Sequence, residues 1–146
     1  MVSDEDQFKK IHGTSVAIED NGILILGQSG SGKSDLALRL IDSGATLISD
    51  DITFCQKKSN IILLFSNKKI SGLIEVRGMG LITVPYIENI KLKIIIKLTS
   101  DPIERLPENS FFSLQGVKVP SLDLNSKEVS ACAKVKLKLY EENQKK

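Results

Sequence analysis

Eight consecutive residues, Gly27-Gln28-Ser29-Gly30-Ser31-Gly32-Lys33-Ser34, bring together three glycines, one lysine and three hydroxyls. The segment fits G-x-x-x-x-G-K-[ST] at every fixed position. Glycines let successive backbone N–H groups turn inward around an anion, and a helix opening at Lys33 adds the partial positive charge of its N-terminus. Lys33 then reaches the outer phosphates, and the Ser34 hydroxyl is placed to meet a magnesium ion. The chemistry implied is the binding of nucleotide phosphates by all eight residues. A Gly/Ser-rich turn that only caps a helix needs neither the lysine nor the final hydroxyl.

A second chemical pair, Asp50-Asp51, closes the apolar run "LIS" and arrives 18 positions after Lys33, room for one helix, one turn and one short strand. Adjacent residues on a strand point to opposite faces, so one carboxylate can serve the metal side and the other a substrate hydroxyl. Which is which stays open at a strand end, and a solvated "DD" turn is the bland alternative. Glu75 is the only acid in "IEVRGMG", and Arg77 follows it as a partner for Glu75 or for phosphate. His12 is the sole histidine. No arginine-rich lid follows the Asp50-Asp51 strand, which disfavours a small-molecule kinase.

These groups need elements to hold them. "TSVAIEDNGILILG" reads as a β-hairpin turning at Asn21-Gly22, with the second strand, Ile23 to Leu26, delivering the chain to Gly27. From Lys33 to Ser43 the apolar Leu36, Ala37, Leu40 and Ile41 share a helical face, Asp35 and Arg39 pair at i,i+4, and Gly44 ends the helix. "ATLISDD" reads as a strand, as do Ile61 to Ser66 and, most strongly, Lys91 to Thr99 with its isoleucines. The tail is ambiguous: Asn125 with Glu128 resembles a capping box, whereas Lys134 to Leu139 alternates with period two. We assign it to a helix, which makes the fold class α/β.

Composition sets the outer bounds. At 146 residues, 41% of them hydrophobic and 26% charged, the chain is expected to form one self-supporting domain over 1–146. A net charge of +2 is too small to argue for nucleic acid. Two distant cysteines and one histidine cannot assemble a zinc site. The acidic N-terminus has no apolar signal core and no apolar run is long enough to span a bilayer, so a cytoplasmic protein without membrane contact is expected.

In its motifs the chain resembles the catalytic domain of HPr kinase/phosphorylase. Four pieces in order carry the resemblance: "IHG" at Ile11 to Gly13, "GQSGSGKS", "ISDD" at Ile48 to Asp51, and "IEVRGMGLI" at Ile74 to Ile82, with a shorter "ERL" at Glu104 to Leu106. The resemblance implies a P-loop kinase domain of PEP carboxykinase-like fold, with a central mixed β-sheet, an N-terminal hairpin and a C-terminal helix. It implies transfer from ATP, with Mg2+, to a serine of HPr or an HPr-like phosphocarrier protein, in a homo-oligomer, the family being hexameric. It assigns Asp51 as the base, Asp50 as a metal or orienting partner, Glu75 with Ser34 as magnesium ligands, His12 as a contact to phosphates or acceptor, and Arg105 as the stabiliser of charge on the transferred group. The family's additional N-terminal domain is expected to be missing. Its arginine-rich loop near "PGRN" corresponds here to "PSLDLNSKEVSACA", which has no arginine, so the resemblance supports the kinase half of the double activity more than the phosphorylase half. The alternative is a nucleotide-binding sensor or interaction module that kept the loop and lost turnover.

Overall fold

The computed structural model describes residues 8–145. Their centre is a nine-stranded mixed sheet. Its elements are β1 (Phe8–His12), β2 (Thr14–Ile18), β3 (Asn21–Leu26), β4 (Thr46–Ser49), β5 (Ile52–Lys58), β6 (Ile61–Phe65), β9 (Ile90–Leu98), β10 (Ser110–Leu114) and β11 (Val117–Leu124). A separate hairpin, β7 (Leu73–Val76) and β8 (Gly80–Thr83), and two helices, α1 (Lys33–Asp42) and α2 (Ala131–Gln144), complete the architecture. Among the described residues no helix is long and apolar enough to cross a membrane.

β9 organises the sheet because its isoleucine run is buried on both faces, as expected of a strand flanked by parallel neighbours. It runs parallel to β3 along one edge and parallel to β11 along the C-terminal part of the other, while its first residues pair antiparallel with β6. Ile23 and Ile25 of β3 join Ile94, Ile96 and Leu98 of β9 against Leu36 and Leu40 of α1 and Val135 and Leu139 of α2. On the opposite face Leu24 and Ile95 meet Cys55, Ile62 and Leu64 from β5 and β6, and Leu114 and Val119 from β10 and β11. The sheet therefore curls over itself on one side and is covered by helices on the other.

The coarse reading holds for the β2–β3 hairpin, α1, β4, β6, β9 and α2, and two details differ. The hairpin turns at Glu19-Asp20, with Glu19 at φ 55, and Asn21 already pairs with Ile18 as the first residue of β3. The Asn21 side chain supports that turn, donating to the Ile18 carbonyl, and the register it sets places the buried Val16 opposite the buried Ile23. The second difference lies at α2, which starts at Ala131 rather than after Asn125. Asn125 instead closes a local turn, its side chain accepting from the Lys127 N–H. The alternation from Lys134 to Leu139 gives way to a helix because Ala131, Val135, Lys138 and Leu139 form its buried stripe. The strands β1, β5, β10 and β11 lie outside that reading, although Ser59-Asn60 after β5 and Gln115-Gly116 between β10 and β11 are turn signals.

Both cysteines are free thiols. Cys55, buried on β5, has its thiol pushed up to about 12 by burial, only partly offset by the charge of Lys9 across the β1–β5 pair. Thiolate is the reacting species, so Cys55 stays protonated and inert below that value. Alkylation of native protein at pH 8 is expected to label Cys132, half-buried on α2, and to leave Cys55 unlabelled until the chain unfolds, as read by mass spectrometry of the peptides.

Candidate active site

β3 ends at Leu26 beside Lys97 of the parallel β9, and the glycine-rich loop leaves the sheet at that carboxyl end, the customary ligand edge of such sheets. The loop runs from Gly27 to Gly32 and α1 begins at Lys33. A Cβ at Gly27 would lie 2.5 Å from the Ser31 hydroxyl and 3.1 Å from Leu98, so the loop closes on itself only with glycine there. The Ser31 N–H donates to the Gln28 carbonyl at 3.0 Å, and the Lys33 ammonium bridges the Gly27 and Gln28 carbonyls at 2.9 and 3.1 Å. The first intrahelical bond, from the Leu36 N–H to the Gly32 carbonyl, leaves the preceding N–H groups to other acceptors, and no side chain caps them. Ser31 Oγ is buried without a hydrogen-bond partner among the described residues. Open helical donors and an orphaned hydroxyl beside them suit an anion such as a phosphate.

Asp50 and Asp51 follow directly on β4 and lie in unlike environments. Asp50 is buried and gathers three donors: Ser34 Oγ at 2.6 Å, the Glu75 N–H at 2.9 Å and Thr14 Oγ1 at 3.0 Å. Asp51 is exposed, in a left-handed backbone conformation at φ 67, with its N–H donating to Thr14 Oγ1 at 3.2 Å. The strand stops at Ser49, and this turn, rather than strand alternation, sends the two carboxylates apart.

His12 is exposed at the end of β1, paired with Ile52, and the next residue, Gly13, donates its N–H to the Asp51 carbonyl at 2.8 Å. Glu75 lies on β7 with its backbone on Asp50 and its side chain exposed. His12, Lys33, Ser34, Asp50, Asp51 and Glu75 are thus joined by a continuous set of bonds and pairings. Arg105 stands apart on the exposed β9–β10 connection and has no ion pair or hydrogen bond among the described residues, although that connection leaves β9 at the same sheet end as the glycine-rich loop. Arg77, at the exposed tip of the β7–β8 hairpin, pairs with neither Glu75 nor any other acid among the described residues.

Two contributors went unremarked in the sequence. Thr14, fully buried, holds both acids at once, and Ser126 donates to the Ser31 carbonyl of the glycine-rich loop at 2.9 Å. A threonine directly after "IHG" at the head of an apolar strand was the available signal for the first; no local signal marks the second.

Among the described residues no group of three His, Cys, Asp or Glu side chains forms a ready-made metal cage. Ser34, Asp50 and Glu75 still suit magnesium, which takes one or two carboxylates and completes its shell with phosphate oxygens and water.

The site is thus a glycine-rich loop between a parallel strand and a helix of an α/β sheet, joined through Ser34 to a split acid pair. The model of the HPr Serine kinase C-terminal domain matches residues 6–136, and the chain belongs to that family. The HPr kinase/phosphorylase of Malacoplasma penetrans is 32% identical over 123 residues, 75% of this chain and 41% of the relative. That of Clostridium acetobutylicum is 46% identical over 76 residues, 52% of this chain and 25% of the relative. The chain thus spans well under half the length of these curated relatives. The solved HPr(Ser) kinase/phosphatase of Coxiella burnetii shares the fold, with a TM-score of 0.79 at 22% identity, covering 93% of this chain and 96% of that one.

The unequal surroundings of the two acids set their unequal costs of removal. Asp50→Ala leaves three donors facing no acceptor and is expected to destabilise the protein by about 2–4 kcal/mol. Asp51→Asn, exposed and of a type tolerated in the left-handed region, is expected to stay within about 0.5 kcal/mol of the parent. Urea unfolding followed by circular dichroism reads both; equal losses would contradict the division of roles.

Proposed function

We propose that the protein is an ATP- and Mg2+-dependent kinase that phosphorylates a serine of HPr or an HPr-like phosphocarrier protein. The observation that carries this reading is the split acid pair opposite the glycine-rich loop: one carboxylate buried on the Ser34 hydroxyl, its neighbour free and exposed. Family membership and the names of the curated relatives support the serine of HPr as acceptor.

Phosphoryl transfer asks the protein mainly for positioning and for neutralisation of charge. The open N–H groups of the glycine-rich loop and of the start of α1, Ser31's being held by the Gln28 carbonyl, hold the phosphates of ATP, and Lys33 exchanges its two carbonyl partners for phosphate oxygens. Ser34 and Glu75, oriented by Asp50, would hold magnesium, which when bound offsets phosphate charge. Asp51, exposed beside His12, takes the proton of the acceptor serine. His12 contacts the acceptor or the phosphates, and Arg105 reaches the transferred group from the β9–β10 connection. The P-loop, PEP carboxykinase-like assignment of the fold, the homo-oligomer and a balance tilted to kinase over phosphorylase belong to the same reading. Exposed Met79 and Leu81 on the β7–β8 hairpin, next to Glu75, give a protein acceptor an apolar contact at the site.

Asp51→Ala is expected to lower phosphate transfer from labelled ATP to HPr by at least ~10²-fold, the scale of a positioned base, while nucleotide affinity by calorimetry changes less than about twofold. If transfer persists in this variant, or the parent leaves HPr unmodified, the kinase reading fails; nucleotide binding without transfer in the parent favours the sensor reading instead. Lys33→Met is expected to weaken ATP binding and transfer together, each by about tenfold or more, in the same two assays.

A further inference from the structure

The turn between β11 and α2 is joined to the glycine-rich loop by bonds that the phosphoryl chemistry does not use. Ser126 Oγ, buried, donates to the Ser31 carbonyl at 2.9 Å. The Ser126 carbonyl in turn accepts from the Arg39 guanidinium on α1. Arg39 is itself held by Asp35 at 3.1 Å in the preceding turn of the helix. A ring therefore runs from the loop to the 125–130 turn, to α1, and back to the loop at the N-terminus of α1.

The consequence follows from peptide geometry. The Ser31 carbonyl and the Gly32 N–H belong to one planar trans unit and point in opposite directions. Fixing the carbonyl outward on Ser126 aims the Gly32 N–H inward, where the loop has its open donors. Gly32 must be glycine for two separate reasons at this point. Its φ is 98, in the left-handed region, and a Cβ there would stand 2.6 Å from Ser126 Oγ. The hydroxyl occupies the space that a side chain would need, so brace and glycine are parts of one device.

We infer that Ser126 is a positioning residue for the phosphate site: through the Ser31 carbonyl it sets the Gly32 N–H toward the nucleotide phosphates, with Arg39 holding Ser126 in place. This rests on the nucleotide-binding reading above and adds to it the residue that pre-forms the nest from 95 positions along the chain. Ser126 does not touch the ligand, so its effect is on how tightly phosphates are held rather than on proton transfer.

The test is calorimetric binding of ATP and of inorganic tripolyphosphate, each with magnesium, to the full chain and to Ser126→Ala, with unfolding midpoints measured without ligand and the Gly32 amide followed by ¹⁵N NMR. The expected result is an affinity loss of about tenfold that is the same for both ligands, since both reach the nest through phosphates alone. The ligand-free midpoint stays near that of the parent, and the Gly32 amide response to tripolyphosphate shrinks. Unchanged affinity in Ser126→Ala, or a loss for ATP alone, overturns the inference while leaving the nucleotide site standing. A parent that binds neither probe overturns the nucleotide reading and this inference with it. Should Ser126→Ala not fold, Arg39→Gln carries the test: it frees the turn from α1 without touching the loop, and affinity equal to the parent's there overturns the proposal.

Discussion

A buried carboxylate that accepts from three separate elements is the constraint around which this molecule's chemistry is arranged. Asp50 takes the hydroxyl of Thr14 on β2, the hydroxyl of Ser34 on α1 and the backbone N–H of Glu75 on β7. A hydrogen bond to a charged group contributes about 1.5–3 kcal/mol, and a buried carboxylate stripped of such partners is costly. The hairpin that carries Glu75 belongs to its own two-stranded sheet, and this bond joins the packing of Ile74, Val76 and Ile82 on the helix-side core and the Leu47–Tyr86 bridge in placing it. The same bonds bring the start of α1 and the end of β4 together.

The sheet supplies the frame for that contact. β3 and β9 run parallel and end together, which puts the glycine-rich loop and the β9–β10 connection at one edge. β2 lies between β3 and β4, with Thr14 beside Ile25 and Ser15 beside Ser49, so the acid pair arrives at that edge as well. β1 leads into β2 through Gly13 and pairs with β5, which brings His12 alongside the residue that follows Asp51. The loop is braced from behind by the Ser126 turn and in front by its own lysine, so its donors are organised before any ligand arrives. Preorganised donors lower the reorganisation needed when charge develops on a phosphoryl group.

Much of the site was legible in residue order because its chemistry is local. The spacing from Gly27 to Ser34 defines a loop, a lysine and a helix start within eight residues, and the structure has that strand, loop and helix in place. Asp50-Asp51 stood out as a pair at the end of an apolar run, but which carboxylate is buried depended on Thr14, Ser34 and Glu75 at 36, 16 and 25 positions' distance. The Asn125–Glu128 pattern pointed to a helix cap and instead forms a turn, because a local motif competes with the burial of Ala131 and Val135 that fixes where α2 begins.

By itself the sequence determined the elements whose signals are short in range: the glycine-rich loop, the α1 stripe, the isoleucine strand β9 and the presence of two adjacent acids. Tertiary structure alone decided the curl of the sheet, the pairing of β1 with β5 and of β11 with β9, the separate fates of Asp50 and Asp51, and the joining of Ser126 to Ser31. The reason is physical. Glycine conformations, helical periodicity and strand composition act between neighbours along the chain, whereas a buried carboxylate or carbonyl must be satisfied by whichever donor the folded backbone brings within hydrogen-bonding distance.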